Sequence, residues 1–599
     1  MALWGIPDEF GGMTATSLYR ASMFMDGAGA DAAIVTFEPK PGYAAQLEAL
    51  RRQGKISGNV QVLNPFIHYR TADLDRRPPV TSTDSHDLGS LVGGEESIDD
   101  DGRLFSRTSM GSGTDTVALN EYFRADGTVY LRDEFPLAAT GGGPKRSMSL
   151  LSTDGTVVGN WTAAGAFYRS WLVELSAGNS SAIIVDSAFA SKVIGPLREP
   201  HIVKLMVLHN PHVAGGGDPL RGKLAQGQQS IHADINQWDG IVFLTDEQRL
   251  DYEKRFGTLS TLHTVSNPKK RLDRTPPFAH RVLTRGVLLG RLAPQKNLTH
   301  AIRVMEKVIQ KVPEATLEIY GRGPQEQELR SLIAELGLND TVYLKGHDPY
   351  AADEFKTAGF SLLTSRNEGQ GLTLMESQGH GCPPVSYDIR YGPSSVIEDG
   401  VNGFLVAPGD IEGAASRIVQ LCTDPATAER ISSNAWQSAV QYGDEAVLAQ
   451  WATALAATWS RRETRTRVTG VQMTVESLAL SSDGTVDLSL FFSWKQLSGP
   501  SLSNNVKIEM LAQPRIDGEL FVFPAHSESR GSQGVLASVR LDPNFIGQGA
   551  ATDEDFVDIS CRIVGTDMAK TFRVGYPSGK CGLVAFETVN GDASVRATA

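Results

Sequence analysis

Residues 365–385 read SRNEGQGLTLMESQGHGCPPV, and this stretch decides the fold expected for the chain. It follows GFSLLT at 359–364, an apolar run typical of a buried strand. The glycines of the Gly-Gln-Gly turn then permit a backbone path that a β-carbon would obstruct. Thr373 and Glu376 have capping-box spacing, with Thr373 as N-cap and Glu376 at the third helical position. The stretch therefore predicts a strand, a glycine turn and a helix start.

Alternating strand and helix patterns extend on both sides of this stretch. They predict two Rossmann-like α/β domains in tandem, one from residues 1–65 with 179–275 and the other from residues 276–462. Such a pair leaves a cleft between its members. With 599 residues the chain is too long for one core, so several folding units are expected.

Two further regions have the pattern of β-structure. Residues 66–178 contain Asp126-Gly and Asp154-Gly between alternating stretches, and Asp-Gly supplies the positive φ that tight hairpins need. We interpret them as a β-rich insertion in the first α/β domain. Residues 463–599 contain the same signal at Asp483-Gly and Asp517-Gly, which predicts a sandwich-like accessory domain.

Composition excludes several classes of protein. Hydrophobic residues make up 41% and charged residues 21% of the chain, as in globular proteins. The net charge of -13 provides no overall basic field for nucleic acid or an anionic bilayer. No apolar run reaches the length of a membrane span, and the start lacks a signal-peptide pattern. We therefore expect no nucleic-acid partner and no integral membrane span.

The four cysteines have no metal-binding spacing and no pattern of a disulfide framework. They are Cys382, Cys422, Cys561 and Cys581. Scattered cysteines of this kind are typical of proteins from a reducing compartment, which predicts a cytoplasmic location.

Two cations follow the strand before Gly290, in the segment GRLAPQK at 290–296. Arg291 and Lys296 should leave the sheet at its carboxyl edge, where open α/β sheets bind ligands. With the N-terminus of the helix near Leu372, they would suit a diphosphate. An acidic side chain at Glu376 is then better placed to bind ribose hydroxyls than phosphate.

These motifs together resemble the retaining GT-B glycosyltransferases of the family 4 type. The resemblance covers most of residues 180–460 and includes Gly290-Arg-Leu with Lys296, the Glu368 and Glu376 pair, Tyr391-Gly-Pro, and Asn402-Gly-Phe-Leu-Val. Within that family the chain looks most like bacterial wall teichoic acid α-glycosyltransferases and enzymes that glycosylate serine-rich adhesins. Those enzymes share a Gly-Gly-Met-Thr motif, here at Gly11 to Thr14, a β-rich insertion, and a segment like Phe243 to Arg249.

The resemblance implies roles for the site residues. Arg291 and Lys296 would neutralise the donor diphosphate with backbone N–H groups of Gly371, Leu372 and Thr373, Glu376 would bind the ribose, and Glu368 would contact the donor sugar or the reacting face. The active-site histidine would be His209 or His212, with His209 preferred because it ends a strand, and Gly11 and Gly12 would form a loop near a substrate. No metal and no cofactor are expected.

Each motif also has an ordinary structural interpretation. Glu376 could be a helix-capping residue with no role in binding. Arg291 and Lys296 could be surface cations. His209 and His212 could be loop histidines. Asp99 to Asp101 resembles a metal-binding Asp-x-Asp but lies in a polar loop. Gly321 and Gly323 begin a dinucleotide fingerprint that Glu326 breaks.

The expected function is transfer of glucose or N-acetylglucosamine from a UDP-sugar to a polyol-phosphate polymer of the wall teichoic acid type. One alternative is O-glycosylation of serine- and threonine-rich protein, and another is a non-catalytic protein that binds glycan polymers. The insertion or the C-terminal β domain could mediate homo-oligomerisation. The sequence leaves the donor sugar and the role of the C-terminal region open.

Overall fold

The computed structural model describes residues 1–8, 10–80, 88, 90–113, 116–135, 146–220, 222–228, 231–232, 235–480, 485–504, 506–514, 521–541, 556–574, 585–587 and 593–596. The expected turns at Asp483 and Asp517, and Cys581, lie outside these residues. The chain divides into two compact units. The first comprises Met1–Val207, Asn267–Lys269 and Tyr442–Ala449, and the second comprises Leu208–Ser266, Lys270–Gln441 and Gln450–Ala599.

The first unit contains α/β structure at the start of the chain. Its helices are α1 (Gly12–Ala28), α2 (Ala44–Arg52), α3 (Pro65–Thr71), α4 (Ala164–Ser176) and α5 (Ala188–Ile194). Strand β1 (Ala33–Val35) pairs in parallel with β2 (Gln61–Leu63), and β9 (Ser181–Val185) pairs in parallel with β10 (Ile202–Leu208). Ala2 bridges both Val35 and Val185, so the first residues of the chain join the two strand pairs.

A six-stranded antiparallel sheet also belongs to the first unit. Its strands follow one another in chain order: β3 (Leu91–Ile98), β4 (Leu104–Gly111), β5 (Val117–Phe123), β6 (Val129–Glu134), β7 (Ser147–Leu151) and β8 (Val157–Trp161). Gly127 and Gly155 have φ values of 86° and 85° at the turns between β5 and β6 and between β7 and β8. These are the two Asp-Gly turns that the sequence predicts.

The second unit contains a six-stranded parallel sheet in the order β15-β14-β13-β16-β17-β18. Its strands are β13 (Val282–Leu289), β14 (Thr316–Tyr320), β15 (Val342–Gly346), β16 (Ala358–Leu363), β17 (Pro384–Tyr387) and β18 (Phe404–Val406). Outside this sheet, β11 (Gly240–Phe243) pairs in parallel with β12 (Leu262–Thr264). The central strand β16 is buried along its whole length, as expected of a strand covered on both faces.

The next helices along the chain are α6 (Asp246–Phe256), α7 (Leu298–Val308), α8 (Glu326–Glu335), α9 (Leu372–Gly379), α10 (Pro393–Val396), α11 (Ile411–Thr423), α12 (Pro425–Ser438) and α13 (Asp444–Ser460). Helix α7 buries Leu298, Ala301, Ile302, Met305 and Val308, the i, i+3, i+4 spacing of an amphipathic helix. Helices α12 and α13 are separated by a 3-10 turn, Ala439–Tyr442. No helix in the described ranges is long and apolar enough to cross a membrane.

The C-terminal region forms two antiparallel sheets. One has the order β19-β20-β24-β23, and the other has β22-β21-β25-β28-β27 with β26 beside β25. Their strands are β19 (Arg467–Leu480), β20 (Val486–Ser498), β21 (Lys507–Pro514), β22 (Phe521–Pro524), β23 (His526–Ser529), β24 (Gly534–Leu541), β25 (Phe556–Val564), β26 (Ala569–Arg573), β27 (Ala585–Glu587) and β28 (Ala593–Arg596). Phe492, Trp494, Met510 and Cys561 are among the buried residues of the core that both sheets share.

The capping-box prediction for α9 is wrong. The helix begins at Leu372, and its N-cap is Gly371 in the left-handed conformation, with φ 82° and no side-chain cap. Thr373 is therefore the second helical residue and Glu376 the fifth, too far along to reach back to the N-cap. The Thr-x-x-Glu pattern was misleading because the positive φ that a glycine tolerates already sets the helix start.

Candidate active site

Two loops at the carboxyl edge of the parallel sheet lie backbone against backbone. The loop after β13 and the loop after β14 are joined by bonds from the Gly290 N–H to the Tyr320 carbonyl at 3.0 Å and from the Leu292 N–H to the Arg322 carbonyl at 2.9 Å. A β-carbon at Gly321 would lie 1.9 Å from the Gly290 oxygen, and one at Gly323 would lie 2.3 Å from the Leu292 oxygen. The two glycines of the incomplete dinucleotide fingerprint therefore allow close loop packing.

Lys296 and Glu368 form the central ion pair of the site. Lys296 ends a 3-10 turn, Pro294–Lys296, and its Nζ donates to Glu368 Oε1 at 2.6 Å. The Ser365 hydroxyl donates to the same oxygen at 2.6 Å. The Lys296 and Glu368 side chains keep 17% and 11% of their surface exposed, so the pair is shielded but open to solvent. An ammonium has three donors, and the pair with Glu368 uses one of them.

The glycine-rich turn after Glu368 has a backbone path that side chains would block. A β-carbon at Gly369 would lie 1.8 Å from the carbonyl oxygen of His209, at the end of β10. Gly392, with φ 108°, would place one 2.2 Å from the Gln370 oxygen. The Glu368 backbone is fixed by bonds between its N–H and the Arg390 carbonyl at 3.2 Å, and between its carbonyl and the Tyr391 N–H at 2.9 Å. Close backbone contacts therefore hold the Glu368 carboxylate in place.

Helix α9 presents donors next to this turn. Among the described residues, the N–H groups of Leu372 and Thr373 have no hydrogen-bond partner, as is usual at a helix N-terminus. The helix is anchored to β16 by a 2.6 Å hydrogen bond between the hydroxyls of Ser361 and Ser377. The half-buried Glu376 lies one turn further along, where its carbonyl accepts from His380 Nδ1 at 2.7 Å. Free donors at a helix start favour anions.

The Arg291 side chain is exposed and makes no hydrogen bond or ion pair with any residue in the described ranges. Its guanidinium is therefore available to a ligand. Together with the Lys296 ammonium, which is paired with Glu368, it adds positive charge at the carboxyl edge of the sheet. This arrangement suits a dianionic group such as a diphosphate.

The two candidate histidines have different surroundings. His209 is half-buried at the strand end, with its carbonyl against Gly369. His212 is fully buried, its Nε2 lies 2.8 Å from the Pro219 carbonyl oxygen, and it packs edge-on against the rings of Tyr252 and Phe256. Burial lowers the pKa of His212 to about 4, so its imidazole is neutral at physiological pH. A buried and neutral imidazole such as that of His212 is suited to packing in the core.

The loop around Tyr391 contacts helix α6, which the sequence did not indicate. The buried Tyr391 hydroxyl donates to Asp251 Oδ2 at 3.1 Å, and Arg390 Nε lies 3.5 Å from the same carboxylate. Arg390 is also 3.8 Å from Glu247, whose pKa is raised by burial and by Asp251. These contacts fix the segment that holds the Glu368 backbone.

The predicted glycine loop, Gly11 and Gly12, lies in another part of the chain. Gly11 is the N-cap of α1 and Gly12 its first residue, both in the first unit. The described ranges contain no group of three or more His, Cys, Asp or Glu side chains placed to hold a metal ion.

Comparison with known proteins relates part of the chain to a family model and most of it to a solved fold. Residues 286–438 match the family model of glycosyl transferases group 1. A structure of a mutant TarM from S. aureus, in complex with Fondaparinux, alpha-GlcNAc-glycerol and UDP, aligns with a TM-score of 0.58 at 23% identity, covering 76% of this chain and 98% of that one. The fold is GT-B. The region that matches the family model includes the Lys296–Glu368 pair at the carboxyl edge of the parallel sheet.

Two curated relatives add sequence similarity. A poly(glycerol-phosphate) alpha-glucosyltransferase of Bacillus subtilis is 31% identical over 253 residues, 42% of this chain and 37% of that protein. A poly(ribitol-phosphate) alpha-N-acetylglucosaminyltransferase of Staphylococcus aureus is 24% identical over 485 residues, 74% of this chain and 96% of that protein. The chain thus spans nearly all of the second relative and little more than a third of the first. The expected resemblance to wall teichoic acid α-glycosyltransferases is confirmed.

Proposed function

We propose that this GT-B protein is a retaining α-glycosyltransferase of the family 4 type that transfers glucose or N-acetylglucosamine from a UDP-sugar to a polyol-phosphate polymer of the wall teichoic acid type. The observation that carries the proposal is the Lys296–Glu368 pair at the same edge of the sheet as the free donors of Arg291, Leu372 and Thr373. In this proposal residues 276–462 bind the donor, and residues 1–65 with 179–275 bind the acceptor.

The donor diphosphate would replace Glu368 as the main partner of Lys296. Lys296 and Arg291 would neutralise the departing charge, while the N–H groups at the start of α9 donate to phosphate oxygens. Such stabilisation acts mostly in the transition state, where the negative charge on the diphosphate grows. Glu368, freed from Lys296, would accept hydrogen bonds from hydroxyls of the donor sugar, and Glu376 would do the same for the ribose.

Transfer with retention places the acceptor hydroxyl on the side of the leaving group. The bond between the anomeric carbon and the phosphate oxygen breaks, the bond from that carbon to the acceptor oxygen forms, and the hydroxyl proton passes to a phosphate oxygen. No side chain then has to act as a strong base, and the protein contributes orientation and charge stabilisation. His209 would orient the donor sugar or the acceptor. The proposal requires no metal and no cofactor.

We further propose that the reaction takes place in the cytoplasm and that the C-terminal β region is an accessory domain of the enzyme. Cys382 and Cys561 are buried with free thiols, which is compatible with a reducing compartment. Burial raises the pKa of the Cys382 thiol to about 11, so this cysteine is inert and acts as a small apolar side chain.

The test is glycosyl transfer by the purified full chain in EDTA. UDP-glucose and UDP-N-acetylglucosamine are supplied in turn with poly(glycerol phosphate), poly(ribitol phosphate) or a serine-rich peptide, and the anomeric configuration of the product is determined by NMR. We expect UDP release that rises with one polymer and an α-linked product. Stimulation by the peptide alone would move the acceptor to protein. No turnover with any combination would favour a non-catalytic glycan-binding protein.

A further inference from the structure

A cleft of about 630 Å³ lies where the C-terminal sheets meet helix α6. One wall consists of Glu253, Lys254 and Gly257 at the end of the helix, and the opposite wall includes Lys507 and Glu509 on β21. The cleft is separate from the Lys296–Glu368 pair and none of the motifs in the sequence pointed to it.

Both walls of the cleft are fixed to each other. Arg562 on β25 is nearly buried, and its Nε and Nη2 donate to Glu509 Oε2 at 2.8 and 2.6 Å. Its Nη1 donates to the carbonyls of Lys254 and Arg255 at 3.0 and 2.8 Å. The Asp567 carboxylate accepts from Ser260 Oγ at 2.9 Å. A cleft held in this way is preformed and loses little entropy when it binds a ligand.

The polar groups of the cleft have unused capacity. Arg562 occupies only Oε2 of Glu509, which leaves Oε1 without a hydrogen-bond partner among the described residues. Lys507 is exposed and has no ion-pair partner in the same ranges. Lys254 is paired with Asp251 at 3.1 Å, but 64% of its side chain is exposed, so this pair is weak. The walls thus offer carboxylate acceptors and ammonium donors side by side.

This mixture selects one class of ligand. Glu253 and Glu509 are each paired with an arginine, so the cleft is not acidic and offers a single phosphate the Lys507 ammonium. Oε1 of Glu509 can still accept from a hydroxyl, and a neutral sugar would leave Lys507 without a partner. A chain that alternates hydroxyls with single phosphates matches both, because its hydroxyls donate to the carboxylates and a phosphate meets the ammonium group. Val522, 44% exposed, provides an apolar contact for the carbon backbone of such a chain.

Helix α6 connects the cleft to the candidate active site. Asp251 contacts Arg390 and Tyr391, the segment that fixes Glu368, while Gly257, six residues later, lines the cleft. At 1.5 Å per residue the two positions are about 9 Å apart along the helix. An acceptor of several repeats is long enough to extend from one to the other.

We propose that the cleft binds a segment of the acceptor polymer remote from the reacting hydroxyl, with a phosphate at Lys507 and polyol hydroxyls at Glu509. This inference rests on the proposed function, since it takes the acceptor to be a polyol-phosphate chain. The C-terminal β domain would then select long acceptors over short ones.

The test compares Lys507→Glu with Lys495→Glu, a matched charge reversal at an exposed lysine of β20 outside the cleft. Binding of long poly(glycerol phosphate) and of glycerol phosphate to the full chain is measured without donor, so that the result does not depend on turnover. Thermal melting verifies that both variants fold. We expect Lys507→Glu to raise the Kd for the long polymer by about fivefold to tenfold and to leave glycerol phosphate binding unchanged, with no effect of Lys495→Glu.

Equal Kd values for the two variants would overturn the inference, as would failure of the wild-type chain to bind the polymer. UDP-sugar turnover is measured in parallel. If Lys507→Glu weakens polymer binding while the wild type transfers no sugar, the cleft assignment stands and the proposed enzymatic function fails. If the wild type transfers sugar to the polymer and the variant binds it normally, the function stands and the cleft assignment fails.

Discussion

A buried cluster of charged side chains near the C-terminal sheets and the Lys296–Glu368 pair of the candidate active site differ in access and in unused bonding capacity. At the base of the C-terminal sheets, Asp239 Oδ1 accepts from Arg465 at 2.7 Å and from Arg467 at 2.6 Å, and Arg465 also donates to the Asn236 carbonyl at 2.9 Å. Asp239 and Arg465 are 4% and 2% exposed. The Lys296–Glu368 pair is more exposed and has free donors beside it. An ion pair therefore indicates a site only where it retains access and spare donors.

The largest effect should come from the buried cluster. Asp239→Ala leaves two guanidinium groups without their carboxylate, and we expect the protein to lose about 3–5 kcal/mol of unfolding free energy. Glu412→Ala is the matched control, because Glu412 pairs with Lys307 at 2.8 Å on the surface with 71% of its side chain exposed. Urea denaturation measures both. Equal losses in the two variants would mean that the Asp239 cluster does not hold the C-terminal sheets.

At the candidate active site we expect a large loss of activity with little change in stability. Lys296→Met should lower kcat about 10²- to 10³-fold by removing a cation from the departing diphosphate, while the denaturation midpoint changes little. Lys307→Met, which breaks the surface pair with Glu412, should leave kcat unchanged. Steady-state rates with the preferred UDP-sugar and acceptor provide the measurement. A Lys296→Met variant that is unstable yet fully active per folded molecule would contradict this expectation and would give Lys296 a role in stability.

Gly369→Ala tests whether backbone contact positions Glu368. Its β-carbon would overlap the His209 carbonyl oxygen, so the turn must move at a cost of about 1–3 kcal/mol, and we expect a fall in kcat with it. Gly58→Ala, with no atom near the added carbon, is the control. Unchanged kcat and stability for Gly369→Ala would show that the turn adapts and that the contact with His209 is unimportant.

A smaller effect is expected when the pH changes the free energy of unfolding through His212. His212 has a pKa of about 4 in the folded chain and about 6.5 when unfolded, so the unfolded state binds more protons between these values. Its contribution to stability is present above pH 6.5 and is lost as the pH falls toward 4, with a loss of about 1 kcal/mol at pH 6. Denaturation of wild type and His212→Gln at pH 8 and pH 6 should give a shallower pH dependence for the variant. Identical dependence would contradict the burial of His212.

Local patterns in the sequence were sufficient for much of the fold. The Asp-Gly turns at Gly127 and Gly155 were predictable because positive φ is a property of the residue itself, and β16 was predictable from a short apolar run. The start of α9 was not predictable, because the capping-box spacing of Thr373 and Glu376 competed there with a glycine turn. The positive φ of Gly371 sets the helix start.

Contacts between distant residues could not be predicted. Asp251 and Tyr391 are 140 positions apart, and Asp239 and Arg465 are 226 apart. Nothing in the composition of either segment indicates its partner, since such pairs form only when the whole unit folds. The site motifs were recognisable because the residues expected to bind a diphosphate follow strands at fixed short spacings. The contact of Tyr391 with Asp251 in α6 required the structure.

The central claim is that Lys296 binds the diphosphate of the donor, in place of its contact with Glu368. Calorimetric titration of UDP into wild type, Lys296→Met and Lys307→Met tests this claim most directly, without an acceptor and without turnover. We expect UDP to bind wild type and Lys307→Met with the same affinity and to bind Lys296→Met at least about tenfold more weakly. Equal UDP affinity in all three proteins would contradict it and would place the diphosphate elsewhere.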